Sequence, residues 1–175
     1  MMFDTDRLRI RVLDRFDQEV FYGYRTLPEV CVYQAWKPAD LAEVAEFIQR
    51  NVSTKPDTQN TWLQLAIYLK DGTLIGDLGV HFLEGDAQVE IGYTLAPRYQ
   101  GNGYATEAVK ALLQYLFLTL KKHRVTASVD PLNTSSIKLL TRLKFRKEAH
   151  FVKSFYTNGD WQDDCIYAML AEEWL

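Results

Sequence analysis

Leu8, Ile10 and Val12 alternate with Arg7, Arg9 and Arg11, the period-two pattern of a strand with one buried face, which predicts a strand over residues 5–13. The pattern then turns helical. Residues 14–27 read as a helix capped by Asp14 and stopped by Pro28, and residues 39–52 as a second with Asp40 near its cap. A polar loop, STKPDTQN, fills residues 53–60. Residues 61–69, 73–83 and 87–95 follow as three strands joined by Lys-Asp-Gly and Glu-Gly-Asp turns, so they form an antiparallel meander. After a pair of glycines, Ala105, Ala108, Val109, Leu112, Leu113, Leu116 and Leu120 recur at the spacing of one helix face, the strongest helical pattern in the chain. Residues 124–129 give another strand and PLNTSSIKLLTRLKF a capped helix. Residues 149–156 and 164–170 close the chain as a hairpin around a Thr-Asn-Gly-Asp turn.

The order β-α-α-β-β-β-α-β-α-β-β predicts an α/β (α+β) fold. Its mixed, mostly antiparallel central sheet has about seven strands and is flanked by about four helices. A length of 175 residues suits one well-packed domain over 1–175. The net charge is −3 and no basic run exceeds Lys121-Lys122-His123-Arg124, which leaves a nucleic-acid partner without electrostatic support. The start of the chain lacks an apolar signal stretch, and no membrane-length apolar run occurs. Cys31 and Cys165 fit no metal spacing and read as free thiols, so a cytoplasmic setting is expected. His81, His123 and His150 are scattered, and no metal site is expected.

The glycines are the first chemical signal. In PRYQGNGYATEA, residues 97–108, Gly101 and Gly103 precede the strong helix. The first amides of that helix are unpaired and carry the positive end of its dipole; glycines before it let the amides of residues 101–105 converge on a phosphate. Arg98 adds a mobile positive charge. A plain strand-to-helix turn needing positive φ once or twice explains the same residues. The dinucleotide fingerprint also begins Gly-x-Gly, and Asp130 closes the following strand. Against it, its third glycine is Thr106, and the turn follows an antiparallel meander rather than opening a βαβ series.

Arg98-x-x-Gly101-x-Gly103 resembles the acyl-CoA pyrophosphate motif of the GNAT superfamily of N-acetyltransferases. TDRLRIR at the start, EIGYTLAPRYQGNGYATEA at 90–108, DPLNTSSIKLLTRLKF at 130–145 and YAMLAEEW at the end are similar to its ribosomal-protein N-terminal acetyltransferase (RimJ/RimL-like) branch, in the right order over nearly the whole chain. Lys144 departs from the branch, which usually has glycine in that turn; this questions the turn geometry and not the chemistry.

The resemblance implies acetyl transfer from acetyl-CoA to an amine. It implies that the central strands splay, with the pantetheine hydrogen-bonded to backbone around Tyr93 to Leu95. The diphosphate would be held by Arg98, Gln100, Gly101, Asn102, Gly103, Tyr104, Ala105 and Thr106. It further implies that Asn133 contacts the pantetheine arm and that Ser136 reaches the sulfur. The plain alternative for that segment is a helix cap made by Asn133, Thr134 or Ser135. Tyr156 and Tyr167 are reserve donors or packing residues, and Trp36 and Trp62 could wall an acceptor pocket or simply be core. Asp163 matches a branch position in the last hairpin, or is a solvated turn residue.

An amine attacking a thioester must lose a proton, and the oxyanion that forms needs donors. In VEIGYTL, Val89, Ile91, Tyr93 and Leu95 share one strand face, so Glu90, Gly92 and Thr94 share the other. Glu90 thus stands among small residues on the strand leading to the glycines, at the family position often assigned the base, where partial burial would raise its pKa. An ion-paired edge glutamate is the alternative. The acceptor would be a protein N-terminal amine or a small amine such as a polyamine or aminoglycoside; dimers are common in the branch, though no residue marks a homodimer interface. A CoA-binding module without turnover and a nicotinamide-dependent oxidoreductase are the rival functions.

Overall fold

The computed structural model describes residues 2–52, 54–85, 87–157 and 159–174. Asp86 of the Glu-Gly-Asp turn, Asn158 of the hairpin turn and Ser53 of the polar loop lie outside the described residues. The chain opens with strands β1 (Met2–Asp4) and β2 (Leu8–Val12), then helices α1 (Gln18–Arg25), α2 (Pro28–Cys31) and α3 (Leu41–Val52). Strands β3 (Thr61–Leu69), β4 (Leu74–Phe82) and β5 (Gln88–Leu95) form the antiparallel meander. Helix α4 (Tyr104–Gln114), widened into a π turn over Tyr115–Thr119, leads to β6 (Arg124–Val129). Helix α5 (Thr134–Arg142) and the hairpin β7 (Arg146–Thr157) and β8 (Asp160–Leu170) complete the fold. These strands make an eight-stranded sheet in the order β1-β2-β3-β4-β5-β6-β8-β7, antiparallel except where β5 meets β6.

Strand alternation feeds two apolar layers. Leu63, Leu65, Val80, Val89, Ile91 and Val125 point to the face packed by Leu112 and Leu113 of α4 and Leu140 of α5. Ala66, Tyr68, Leu74 and Ala96 point to the other face, under Phe21 and Tyr24 of α1 and Val44 and Ile48 of α3. Local caps follow the sequence: Asp14 accepts from the Phe16 amide at 2.8 Å, and Asp40 from the Glu43 amide at 2.9 Å.

The seven-strand expectation misses β1, which is three residues long and turns back at Thr5, whose hydroxyl accepts from the Leu8 amide at 2.9 Å. The four-helix expectation misses α2. Pro28 ends the run of α1 and also occupies the first turn of α2, where a missing N–H costs nothing. The closing strands start earlier than their periodicity shows, because β7 is exposed along most of its length and carries no apolar alternation.

A charged group sits inside this framework. Asp77 on β4 is fully buried and accepts hydrogen bonds from the Tyr24 hydroxyl, the Arg25 guanidinium and the Gln64 amide. Burial, together with the Asp77 charge, pushes the Tyr24 phenol well above its usual range, so it stays a donor. Arg25 also donates to Gln34 at 2.7 Å, and Gln34 donates to Thr94 at 3.2 Å. Helix α1 and the segment after α2 are thereby tied to β4 and β5. Removing one member leaves a buried charge alone. Asp77→Ala should lower unfolding free energy by about 3–5 kcal/mol, read as a drop in the denaturant midpoint.

Candidate active site

Strands β5 and β6 pair only from Gln88–Glu90 against Arg124–Thr126, although β5 runs on to Leu95. Beyond Glu90 they part, and a cavity of about 520 Å³ occupies the opening. Tyr93, Thr94 and Leu95 form one side; Ser136 and Leu139 of α5 form another. Val30 of α2 with Tyr33 and Gln34 close the opposite face. The Tyr33 hydroxyl reaches over to the Leu132 carbonyl at 3.2 Å, joining the α2 side to the α5 side.

The glycine turn ends the cavity. Gly101 and Gly103 take φ of 78° and 80°, conformations that disfavour any side chain, and Gly103 is the residue from which α4 starts. Neighbours hold the turn from several directions. Gln100 donates to the Leu95 carbonyl at 3.0 Å, and Asn102 folds back onto the Gln100 carbonyl at 3.0 Å. Arg7 donates to the Asn102 carbonyl at 3.0 Å, pairs with Glu107 at 2.6 Å, and lies 4.6 Å over the Tyr104 ring. Burial works against charge on Glu107, but hydrogen bonds from Thr5 and Arg7 hold its carboxyl below the usual range. The free amides of the first turn of α4 face a space bordered by two cations of α5, Lys138 and Arg142; Arg142 also donates to the Thr106 hydroxyl at 3.2 Å.

Of the residues singled out in the sequence, the structure gathers Tyr93, Leu95, Gln100, Gly101, Gly103, Tyr104, Ala105, Thr106, Asn133 and Ser136 around this one cavity. Arg98 and Asn102 are not in its lining: the Arg98 guanidinium lies 4.7 Å over the Tyr99 ring. Asn133 caps α5, accepting from the Ser136 amide at 3.1 Å. The Ser136 hydroxyl shares a hydrogen bond with the Tyr93 hydroxyl at 2.6 Å. Burial pushes the Tyr93 phenol up to about 12, with the Ser136 bond acting against it. Tyr156 lies exposed on the closing hairpin and Tyr167 in the core, both away from the cavity. Trp36 stacks on Phe47 at 4.5 Å and donates to Glu43 at 2.6 Å, a packing role. Asp163 accepts from the Lys153 amide at 2.9 Å and pairs with His150 at 2.7 Å on the hairpin surface.

Glu90 stands apart from the lining, on the strand face opposite Tyr93 and where β5 and β6 part. Its carboxylate lies 3.9 Å from His81 Nδ1, directly across from it on β4. The Trp62 ring stacks on His81, centroids 4.6 Å apart and planes nearly parallel. Burial raises the Glu90 pKa; His81 opposes this and the nearby Asp164 charge adds to it. Arg7, Glu107, Lys138 and Arg142 escaped the sequence reading. Lys138 and Arg142 are four apart and share a helix face, a signal that could have found them. Arg7 and Glu107 meet only through the fold. Among the described residues no group of three His, Cys, Asp or Glu side chains could hold a metal, and no helix is long and apolar enough to cross a membrane.

A family profile described as "Acetyltransferase (GNAT) domain" matches residues 7–146. The chain is 30% identical over 175 residues to the uncharacterized N-acetyltransferase YnaD of Bacillus subtilis, covering 99% of each. It is 33% identical over 84 residues to the [ribosomal protein uS5]-alanine N-acetyltransferase of Escherichia coli, covering 48% of this chain and 43% of that one. The crystal structure of a GNAT-family acetyltransferase from Bacillus anthracis superposes with a TM-score of 0.89 at 29% identity, over 99% of this chain and 100% of that one.

The Tyr93 environment has a measurable consequence. Because its folded pKa lies above the unfolded value, the folded chain keeps a proton that the unfolded chain releases between pH of about 10 and 12, and stability falls across that window. Tyr93→Phe should lose less stability than the parent, by about 1 kcal/mol at pH 11, measured by denaturation at neutral and alkaline pH.

Proposed function

Since the chain belongs to the GNAT family of N-acetyltransferases, we propose that it moves the acetyl group of acetyl-CoA onto a primary amine, with Glu90 taking the amine proton directly or through water. The observation that carries this reading is the cavity at the parting of β5 and β6, ended by the glycine turn and bordered by Lys138 and Arg142. Those two cations, the amides of residues 101–105 and the positive end of α4 suit a diphosphate. The edge of β5 from Tyr93 to Leu95, which β6 does not pair, suits the amides of a pantetheine arm.

The chemistry divides between the two faces of β5. On one face the amine nitrogen attacks the thioester carbon, a C–N bond forms, and the amine proton passes toward Glu90. The C–S bond then breaks, and the thiolate takes a proton relayed from solvent through the hydroxyl pair of Ser136 and Tyr93 on the other face, which ends the step neutral. With a thiol pKa of about 8.5, the sulfur needs only modest help. The surroundings of Glu90 suit an acceptor that arrives as a cation, since Asp164 contributes negative charge there. A protein N-terminal amine, as the uS5-alanine enzyme's name describes, and a small polyamine-like amine both meet that requirement.

Acetyl-CoA at about a hundred times its Kd should add roughly 2.7 kcal/mol to unfolding free energy; a melting curve that does not move removes the assignment. Glu90→Gln should bind acetyl-CoA as the parent does and lose about 10²-fold or more in kcat. The parent's kcat/KM should fall as pH drops through the raised Glu90 pKa, above the ordinary carboxylate value of about 4.3, and this acid limb should vanish in the variant. Unchanged turnover in Glu90→Gln would take Glu90 out of the mechanism, and binding without turnover in the parent would favour a CoA-binding module.

A further inference from the structure

Three glycines lie along the paired strands β4 and β5, and two have a steric reason. A Cβ on Gly76 would meet the Thr94 carbonyl at 2.2 Å. One on Gly79 would meet the Trp62 ring and the Gln64 amide oxygen at 3.2 Å. At Gly92 a Cβ would meet nothing within 4 Å, and the residue has no positive φ to require glycine. A glycine inside a strand weakens it and often marks the close approach of a ligand. The fold does not need this one.

Its position supplies a reason. Gly92 lies on β5 between Thr94 and Glu90, on the face those two share. Thr94, held by Gln34, lines the cavity at the strand parting. Glu90, beside His81, lies beyond it. Gly92 is therefore the step from the cavity to the carboxylate. Directly across the sheet is Gly79, covered by Trp62. The Trp62 ring is stacked flat on His81 yet the residue is 45% exposed, so it offers an apolar wall beside the open floor.

We propose that Gly92 sets acceptor specificity: the space left by its missing side chain, between Thr94 and Glu90 and walled by Trp62, takes the acceptor's primary amine and the carbon that bears it. This rests on the reading of the cavity as the acetyl-CoA site and of Glu90 as base. A methyl group at position 92 projects into that space and an isopropyl group further, so obstruction grows with the size of the added side chain and of the acceptor.

The test compares Gly92→Ala and Gly92→Val with the parent. Acetyl-CoA binding is followed by calorimetry, and CoA release is followed with methylamine, 1,5-diaminopentane and an alanine-initiated peptide. Both variants should bind acetyl-CoA within about twofold of the parent, while Gly92→Val raises the KM of the two larger acceptors about tenfold or more and that of methylamine less. Gly92→Ala, which adds one methyl group to open space, should fall between and serves where valine disturbs the sheet. Acceptor KM values unchanged in both variants, with acetyl-CoA bound normally, overturn the inference alone. A parent that binds no acetyl-CoA overturns the proposed function first, and a parent that binds it but transfers to none of the three amines overturns the acceptor assignment.

Discussion

Everything near the cavity follows from one interruption of backbone pairing. Inside a sheet, each strand edge meets a neighbour because buried N–H and C=O groups need partners. Here β5 and β6 stop pairing after Glu90 and Thr126, while β6 stays paired to β8 on its other edge along its whole length. The far end of β5 is left with one paired edge, toward β4, in the middle of an eight-stranded sheet. Part of the deficit is met internally, since Gln100 donates to the Leu95 carbonyl. The rest lies along an opening that α2, α4 and α5 surround without filling. The connection through α4 makes β6 parallel to β5, and the two strands part after three paired positions.

Because the interruption exposes one strand, its alternation separates two chemistries. Tyr93 points toward α5, where its hydroxyl meets Ser136 in a buried setting. Glu90, Gly92 and Thr94 point the other way, toward His81, open space and Gln34. On the proposed reading, the base and the hydroxyl relay lie on opposite faces of one strand and act on different ends of the reacting bond. Within the largely apolar second face, the Arg25–Asp77 pair fixes α1 against β4 and, through Gln34, reaches Thr94. A hydrophobic replacement of that pair could pack as well or better. It would lose the directed link to Thr94.

The sequence was readable where a pattern was long or a residue type had few uses. The meander was legible because three apolar alternations were separated by short glycine-containing turns, and α4 because seven apolar residues held one face. The glycine turn was legible because two glycines before a helix have few explanations. What escaped depended on pairing across distance. Arg7 and Glu107 are a hundred residues apart, and each alone reads as a solvated charge, yet together they clamp the start of α4 to the start of β2. Arg98 stood out in the sequence as a mobile charge and as part of the Arg98-x-x-Gly101-x-Gly103 pattern. In space, Lys138 and Arg142 border the cavity, while Arg98 covers Tyr99. The orientation of the Tyr93 hydroxyl toward Ser136 was equally hidden, since alternation gives a face and not a partner.

Lys144 shows how far a local rule can be overridden. The turn after α5 requires left-handed backbone, and Lys144 adopts it with φ of 67°, a conformation that costs a residue with a side chain about 1–2 kcal/mol. The turn nevertheless closes as a glycine would close it, with the Lys144 amide donating to Thr141 and the Phe145 amide to Leu140. The compensation lies one residue on. Phe145 is buried among residues of the same layer as Leu139 and Leu140, and burying such a side chain stabilises by about 1.5–3 kcal/mol. That is of the same size as the strain and offsets it, and it anchors the far end of the helix whose first turn presents Ser136. Lys144 thus meets a backbone demand that glycine would meet without strain, with the buried Phe145 ring beside it offsetting the cost.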